Sequence, residues 1–446
     1  MRILIYGINY SPELIGIGKY TGEMGAWLAQ QNQEVDVITA MPYYPEWAVQ
    51  ASHKRKWWHT ERIAGVRVHR CPLYVPREVT ALKRILHEFS FVLSSLFFWV
   101  RIFFTKRYDV VICVAPPFHL GLVPTIYSQI RRVPLWCHIQ DLQIDMAKEL
   151  GMIKNRHFLQ TMFRVESHIL KQSRVVSTIS EGMVRKVALK KGIQSGCVLF
   201  PNWVDGTYIK PLPQTQSLRA ELGLQPSDKV VLYSGNLGEK QGLEIIIQAA
   251  RAFVSQPDVK FLFFGTGGGQ GKLETLVREY ALTNVKFYPL QPYEKLSALL
   301  ATADIHLVLQ KKSASDLVLP SKLTGILAAG GFALVSAVPG TTLHDVVQHH
   351  RMGVLIEPES AVALKDAIDK ALLADLTAFR HHARTYAEKY LNKEKTLRDF
   401  MRELLKIGDP SCKASPVFLE TAPAEDVFKE RFASEETDIE KEGITR

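Results

Sequence analysis

Three glycine-rich stretches of this chain carry the residue types that a phosphate group requires. The first runs from Gly7 to Tyr20 and places Gly16 and Gly18 between an apolar run and a helical pattern. The second is Tyr233-Ser-Gly235-Asn236-Leu-Gly238-Glu-Lys240-Gln241-Gly242, and the third is Gly265-Thr-Gly267-Gly-Gly-Gln-Gly271-Lys272. Glycine at a strand-to-helix turn lets backbone amides approach a bound group, and a helix N-terminus favours an anion. A lysine beside such a turn adds the full positive charge that a diphosphate calls for. No stretch has the GxGxxG spacing of a dinucleotide fingerprint, so a nicotinamide site is poorly supported. A single turn of this kind is routine. Two after successive strands of one half point to a nucleotide site that includes Gly235, Asn236, Gly238, Lys240, Gln241, Gly265 and Gly267.

A second kind of chemistry is suggested by Trp136-Cys-His138-Ile-Gln-Asp141-Leu142, at the end of an apolar run. A histidine and a carboxylate at a strand end can orient or deprotonate an acceptor hydroxyl. The alternatives are a hydrogen-bonded core histidine at His138 and a helix cap at Asp141. His119, in Pro116-Pro-Phe-His-Leu-Gly121, marks another strand-to-helix turn and a further acceptor-site candidate. There is no Gly-x-Ser-x-Gly, Walker sequence or zincin helix. The five cysteines are far apart, with no CxxC and no histidine pair at zinc spacing. A disulfide scaffold and a structural zinc are therefore not expected, and a reducing cytoplasm is.

The elements that position these residues follow from periodicity. A length of 446 residues implies two or three domains, and 47% hydrophobic with 22% charged residues describes a packed, soluble protein. Met1 leads directly into an apolar strand, without a signal-peptide pattern. Strands are expected at Arg2–Tyr6, Val35–Thr39, Val66–Arg70, Val110–Val114, Leu135–His138 and Val175–Thr178, with helices between most of them. The pattern restarts at Val230–Ser234, Val259–Phe264, Val285–Tyr288, Ile305–Val308 and Ala333–Ser336. Such alternation predicts an α/β fold of two Rossmann-like domains, with ligands beyond the carboxyl ends of the strands in a cleft that both face. Prolines and Asn202-Trp-Val-Asp-Gly across 201–213 mark the joint. The expected division is 1–204, 205–385, a C-terminal helix at 386–408 that packs back on the first domain, and an acidic, flexible tail at 409–446.

Charge is unevenly placed. Residues 1–205 hold 26 Lys/Arg against 15 Asp/Glu, whereas the last 38 residues hold 5 against 10. Within the basic half, 89–104 is rich in Phe and Trp and flanked by Lys83, Arg84 and His87 before it and by Lys106 and Arg107 after it. The run is short for a bilayer span and carries Arg101. Two readings stand: a buried core helix, or an interfacial helix across 82–107 with aromatics in the membrane and basic flanks on phosphate headgroups. No aromatic-and-basic nucleic-acid motif accompanies the charge.

Taken in order, Gly16-Ile-Gly18, Pro201-Asn202-Trp-Val-Asp205, Gly235-Asn-Leu-Gly238 and Phe-Gly265-x-Gly267 resemble the retaining GT-B glycosyltransferases across about residues 1–407. Tyr10–Tyr20 and Leu319-Pro-Ser321-Lys322-Leu-Thr-Gly-Ile-Leu-Ala-Ala-Gly-Gly331 are similar to the bacterial exopolysaccharide group, in particular the fucosyltransferases of colanic acid synthesis. The resemblance implies transfer from a nucleotide-diphosphate sugar, GDP-fucose on the likeness to the colanic acid group, with retention and no metal or other cofactor. It implies a polyprenyl-diphosphate-linked oligosaccharide as acceptor, and a peripheral place on the inner face of the cell membrane. Lys240, Ser321 and Lys322 would then meet the diphosphate. Two departures stand out. Gln241 occupies a position where many relatives have lysine, and Leu317 and Gly325 fall where many have a glutamate pair. Asp316 is the nearest carboxylate to the first of these. A UDP-sugar 2-epimerase-like enzyme or an inactive membrane scaffold would share the architecture.

Overall fold

The computed structural model describes residues 1–408 apart from 14–15, 79, 106, 150, 152, 154, 193–196, 239–240 and 313–319. The expectations for Lys240, Asp316, Leu317 and the tail at 409–446 lie outside the described residues. The chain divides into two units. Met1–Trp203 and 393–408 belong to the first, with a short piece at 320–321, and 204–312 and Lys322–Asn392 belong to the second.

The first unit holds β1 (Arg2–Tyr6), β2 (Glu34–Ala40), β3 (His59–Ile63), β4 (Val66–Cys71), β5 (Val110–Ala115), β6 (Leu135–Ile139), β7 (Val175–Thr178) and β8 (Cys197–Leu199). They form one sheet in the order β3-β4-β2-β1-β5-β6-β7-β8, parallel except for β3, which runs antiparallel to β4. Every residue of β5, β6 and β7 is buried, as expected when helices cover both faces of a parallel sheet. Those helices are α1 (Gly16–Gln30), α2 (Ala81–Phe103), α3 (Leu122–Arg131), α4 (Gln143–Glu149), α5 (Arg156–Gln172) and α6 (Glu181–Lys191). The four described cysteines are free and buried.

The second unit holds β9 (Lys229–Ser234), β10 (Val259–Phe264), β11 (Val285–Tyr288), β12 (Ile305–Val308), β13 (Ala333–Ser336) and β14 (Val354–Ile356). All are parallel, in the order β11-β10-β9-β12-β13-β14. The connecting helices are α7 (Glu244–Ala250), α8 (Gln270–Glu279), α9 (Leu296–Thr302), α10 (Ser321–Ala328), α11 (Thr342–His350), α12 (Ala361–Leu373) and α13 (Thr377–Tyr390). This is the doubly wound order, and it reverses between β9 and β12. The same reversal lies between β1 and β5 in the first unit. Loops at the carboxyl ends of such strand pairs are where doubly wound sheets bind ligands.

One correction concerns a domain boundary. The cut expected at 385/386 falls inside α13; the chain changes unit at Asn392/Lys393. Beyond that point α14 (Lys393–Gly408) buries Leu397, Phe400 and Leu404 in the first unit's core, where Phe400 stacks on Phe200 at 4.3 Å. Each such side chain contributes about 1.5–3 kcal/mol by leaving water. Strands β3, β8 and β14 were not expected, because β8 and β14 are three residues long and β3 is a polar edge strand.

The helix over the apolar segment, α2, is apolar on two faces. Thr80 caps it by accepting from Lys83 N at 3.4 Å. One face, Phe91, Ser95, Phe98 and Ile102, packs on the sheet. The other exposes Leu82, Leu86, Phe89, Leu93, Phe97 and Val100, with Leu93 at 67% and Val100 at 60%. Neither reading of the sequence described this alone: the helix is part of the core and also presents an unburied apolar stripe. By length and composition Leu82–Phe103 also meets the requirement for a membrane span, but burying Phe91 and Phe98 on the sheet keeps one face from lipid. α3 packs beside it, Tyr127 lying 5.4 Å from Trp99, and exposes Leu122, Ile126 and Ile130.

Candidate functional site

In the second unit the turns after β9 and β10 are locked together by their backbones. Gly235 N donates to Phe264 O at 2.8 Å, Leu237 N to Thr266 O at 3.0 Å, and Gly269 N to Leu237 O at 2.8 Å. This approach requires glycine. A Cβ on Gly265, at φ +150°, would stand 1.9 Å from Gly235 O, and one on Gly267 would stand 2.5 Å from Asn236 Oδ1. The expectation that these glycines free amides for a phosphate is corrected in part: the amides of Gly235 and Leu237 are spent on the neighbouring loop. Tyr233, whose hydroxyl donates to Asn236 O at 2.8 Å, stiffens the same turn from beneath.

The positive charge at this turn comes from α10. Lys322 crosses to Gly235, where an added Cβ would meet its Cε and Nζ at 3.2 Å, and Nζ lies 3.5 Å from the centre of the Tyr233 ring. Nζ is buried and has no hydrogen-bond partner. Burial pushes the amine well below its usual pKa. The aromatic face offers some stabilisation, but a buried ammonium without an acceptor is a costly arrangement unless an anion completes it. The amine of Lys322 is therefore not solvated.

In the same loop as Gly235, Gln241 has a buried Oε1 without a partner, 3.2 Å from where a Cβ of Gly238 would stand. Gly242, at φ +62°, approaches Lys311 and Glu359, and Glu359 Oε2 accepts from Lys312 N at 3.1 Å. Lys311 and Lys312 follow β12 and Glu359 follows β14, so the end of β12 meets the turn after β9 at the reversal in strand order. Ser321 is exposed at the start of α10. Gly325 lies within α10, its nearest contact for a Cβ being Leu300 Cδ1 at 3.7 Å, so packing alone would admit a side chain there.

The equivalent turn of the first unit is filled by the chain itself. Glu13 is buried beside Gly18, whose Cβ would stand 2.7 Å from Glu13 Oε2. Its Oε1 accepts from the amides of Tyr43 and Tyr44, both at 3.0 Å, and its Oε2 from Asn9 Nδ2 at 2.9 Å. Burial raises its pKa despite these donors. Gly22 and Gly25, on the same face of α1, likewise admit Ser11 and Tyr10. The phosphate-loop expectation for Gly16 and Gly18 is thus corrected: Gly18 makes room for an internal carboxylate, and Gly16 takes φ +61° at the helix start.

On the acceptor side the structure separates the three expected residues. His138 is an interior residue between Ser177 Oγ at 2.9 Å and Gln140 Nε2 at 3.2 Å, packed on Phe200, and burial pushes its pKa down to about 3. Its proton-transfer role gives way to the core reading. Asp141 sits half-buried in the turn between β6 and α4. His119 is buried after β5, stacked on Phe89 at 4.4 Å, with Nδ1 4.0 Å from Glu88 Oε2. Its pKa is lowered to about 4 by burial.

Glu88 was missed in the sequence because it lies inside the apolar stretch of α2. Its Oε1 accepts from Arg84 Nε at 3.2 Å and Gln143 Nε2 at 3.0 Å, and burial raises its pKa. Glu88, His119 and Gln143 thus form a polar corner beyond β5 and β6, and Phe89 joins it to the exposed apolar stripe. A charged residue interrupting one face of an apolar helix was the available signal.

Comparison with known proteins agrees with these two units. The Glycosyl transferase 4-like domain matches residues 16–203, and Glycosyl transferases group 1 matches residues 214–390. The chain is 42% identical over 419 residues to the Escherichia coli (strain K12) protein named as the colanic acid biosynthesis glycosyl transferase WcaI, covering 91% of this chain and 100% of that one. Among solved structures, sucrose-phosphate synthase from Thermosynechococcus elongatus superposes with a TM-score of 0.70 at 19% identity, over 90% of this chain and 97% of its own. Anabaena HepE in complex with UDP and glucose gives 0.68 at 18%, over 91% and 99%. This chain belongs to the GT-B glycosyltransferases, with a group 4-like first domain and a group 1 second domain.

Proposed function

We propose that the chain transfers a sugar from a nucleotide-diphosphate donor, with retention and without a metal, to a lipid-linked oligosaccharide at the inner face of a bacterial membrane. The observation that carries this reading is the buried, unpartnered Nζ of Lys322 at the Gly235 turn. A transferase that uses no metal must neutralise the departing diphosphate with side chains and amides, and an amine already held at the turn takes up a proton to meet that charge in place. HepE, a structural neighbour, holds UDP and glucose. The name of the WcaI relative supports a place in exopolysaccharide synthesis of the colanic acid type, and GDP-fucose is the first donor to test.

The first unit supplies the acceptor side of this reading. Phe89 belongs to the exposed stripe of α2 and stacks on His119, so a lipid held along the stripe brings its sugar to the Glu88–His119–Gln143 corner. In this reading Glu88 and Asp141 are the carboxylates that bind the acceptor hydroxyls. Leu82, Leu93 and Val100 would enter the membrane interface, with Arg84, Arg101 and Arg107 near headgroup phosphates.

Thermal shift against GDP-, UDP-, dTDP- and ADP-sugars, without added metal, tests the donor. A selective rise with GDP-fucose supports the reading, and a selective rise with a UDP-sugar overturns the fucosyl part. Silence at millimolar donor, given the glycine at 325, favours an inactive scaffold. The anomeric configuration of the product decides retention. Leu93→Glu with Val100→Glu is expected to abolish flotation with anionic vesicles while leaving donor binding intact; unchanged flotation would remove α2 from the membrane.

A further inference from the structure

We propose that His53, His59 and Glu61 form a zinc-class metal site at the edge of the first unit's sheet. His53 ends a single helical turn, Ala51–His53, before β3. His59 and Glu61 are two apart on β3 and leave it on the same face. One ligand atom from each residue lies within 4.8 Å of the other two, and His53 Nε2 is 3.5 Å from Glu61 Oε1. A tetrahedral ion with bonds of about 2.0–2.1 Å holds its ligands about 3.4 Å apart. The cluster therefore closes on an ion through small side-chain adjustments.

The hydrogen bonds behind the two rings prepare them for this role. His59 Nδ1 faces Trp57 O at 3.0 Å. A carbonyl only accepts, so that nitrogen carries the proton and the lone pair lies on Nε2. His53 Nδ1 is engaged by Ser52 Oγ at 2.9 Å. Both Nε2 atoms are buried with no hydrogen-bond partner, and His53 is only 7% exposed. An outer bond on Nδ1 is how metal-ligating imidazoles are held, and with Ser52 Oγ accepting from Nδ1 the lone pair of His53 Nε2 is free to meet an ion beside Glu61.

Arg70 decides which metals fit. It is fully buried, donates from Nε to Glu61 Oε1 at 2.7 Å, and is itself held by Ala40 O at 3.1 Å and by Ser11 O. It orients the carboxylate as outer-shell donors do, and its charge disfavours hard cations that need several carboxylates. Two imidazoles and one carboxylate select zinc over magnesium or calcium, with water as the fourth ligand. The ion would tie the Ala51–His53 turn to the edge strand β3. This role is separate from neutralising a diphosphate and does not rest on the donor reading.

The test uses full-length, tag-free protein stripped with EDTA and titrated with Zn²⁺ by calorimetry, with Co²⁺ as an optical probe. One equivalent should bind with a Kd of about 1 μM or tighter, give four-coordinate Co²⁺ absorption and raise Tm. His53→Gln with His59→Gln should weaken binding at least about 100-fold. Glu61→Gln keeps an acceptor oxygen for Arg70 and guards against misfolding; it should weaken binding at least about 10-fold. Wild-type binding no tighter than millimolar overturns the proposal. So does equal affinity in the variants, which would move the ion to other histidines such as His349 and His350.

Discussion

The two units begin alike and use their first turns differently. After β1, the glycines of α1 admit Glu13, a buried carboxylate that collects three hydrogen bonds from its own chain. After β9, the glycines admit Lys322, a buried amine that collects none. The same topological position is satisfied internally in one unit and left unsatisfied in the other. The lesson is that glycine spacing alone does not mark a ligand site. What distinguishes the second turn is a buried basic group with no hydrogen-bond partner.

The strongest way to break this contrast is Lys322→Met, matched with Glu13→Gln. Loss of a preorganised charge opposite a developing anion costs about 10²–10³ in rate. We expect that loss for Lys322→Met, together with loss of the donor-induced thermal shift. The ligand-free protein should become slightly more stable, because a desolvated amine is replaced by an apolar group of similar shape. Glu13→Gln should do the reverse: it leaves amides imperfectly paired and costs about 1–3 kcal/mol, with donor affinity unchanged. A Lys322→Met protein that keeps full turnover would remove the amine from the donor site.

Next in size is a pair of glycine replacements. Gly265→Ala forces a Cβ to 1.9 Å from Gly235 O at φ +150°, and should cost at least about 3 kcal/mol by urea unfolding. Gly16→Ala also meets a left-handed conformation, φ +61°, but its nearest neighbour is Tyr44 Cε1 at 3.8 Å. The expected cost is about 1 kcal/mol. Equal costs would mean that the β9 and β10 turns are not locked as described.

Much of the scaffold was legible because buried parallel strands are short β-branched and aromatic runs. The expected bounds of Val175–Thr178, Val259–Phe264 and Ala333–Ser336 are those observed. His59-Thr-Glu-Arg-Ile63 reads as polar coil because an edge strand buries little and alternates its exposure. The site was legible in part. Lys322 was visible as a lysine after Pro320-Ser321, but its burial was not, because that depends on Tyr233 and Gly235 nearly ninety positions earlier. Glu88 was obscured by the apolar residues around it, and His138 looked reactive because hydrogen bonding to Ser177 leaves no trace in local sequence. The His53–His59–Glu61 cluster escaped for a similar reason: its spacing matches no zinc motif, and only the fold brings the three ligand atoms together.

The smallest effects sharpen the contrast through pH. Lys322 has a folded pKa below that of the unfolded chain, so between the two values the unfolded state binds more protons. Stability should then rise with pH through that window, by up to about 1.4 kcal/mol per unit, and the rise should vanish in Lys322→Met. Glu13 is shifted up, so just above its unfolded pKa the folded state binds more protons and stability falls as pH rises. The buried histidines oppose that fall: His138 at about 3 and His119 at about 4 favour folding as pH climbs toward 6.5. The Glu13 contribution is therefore read as the difference between wild type and Glu13→Gln, by denaturant midpoints from pH 4 to 7. A diphosphate that restores the ammonium of Lys322 must also take up a proton. Calorimetry of donor binding by the wild type at alkaline pH, in buffers of differing ionisation enthalpy, should detect that uptake. Proton-neutral binding by wild type would mean that Lys322 is already charged in its buried place, and that the two turns differ in partners but not in protonation.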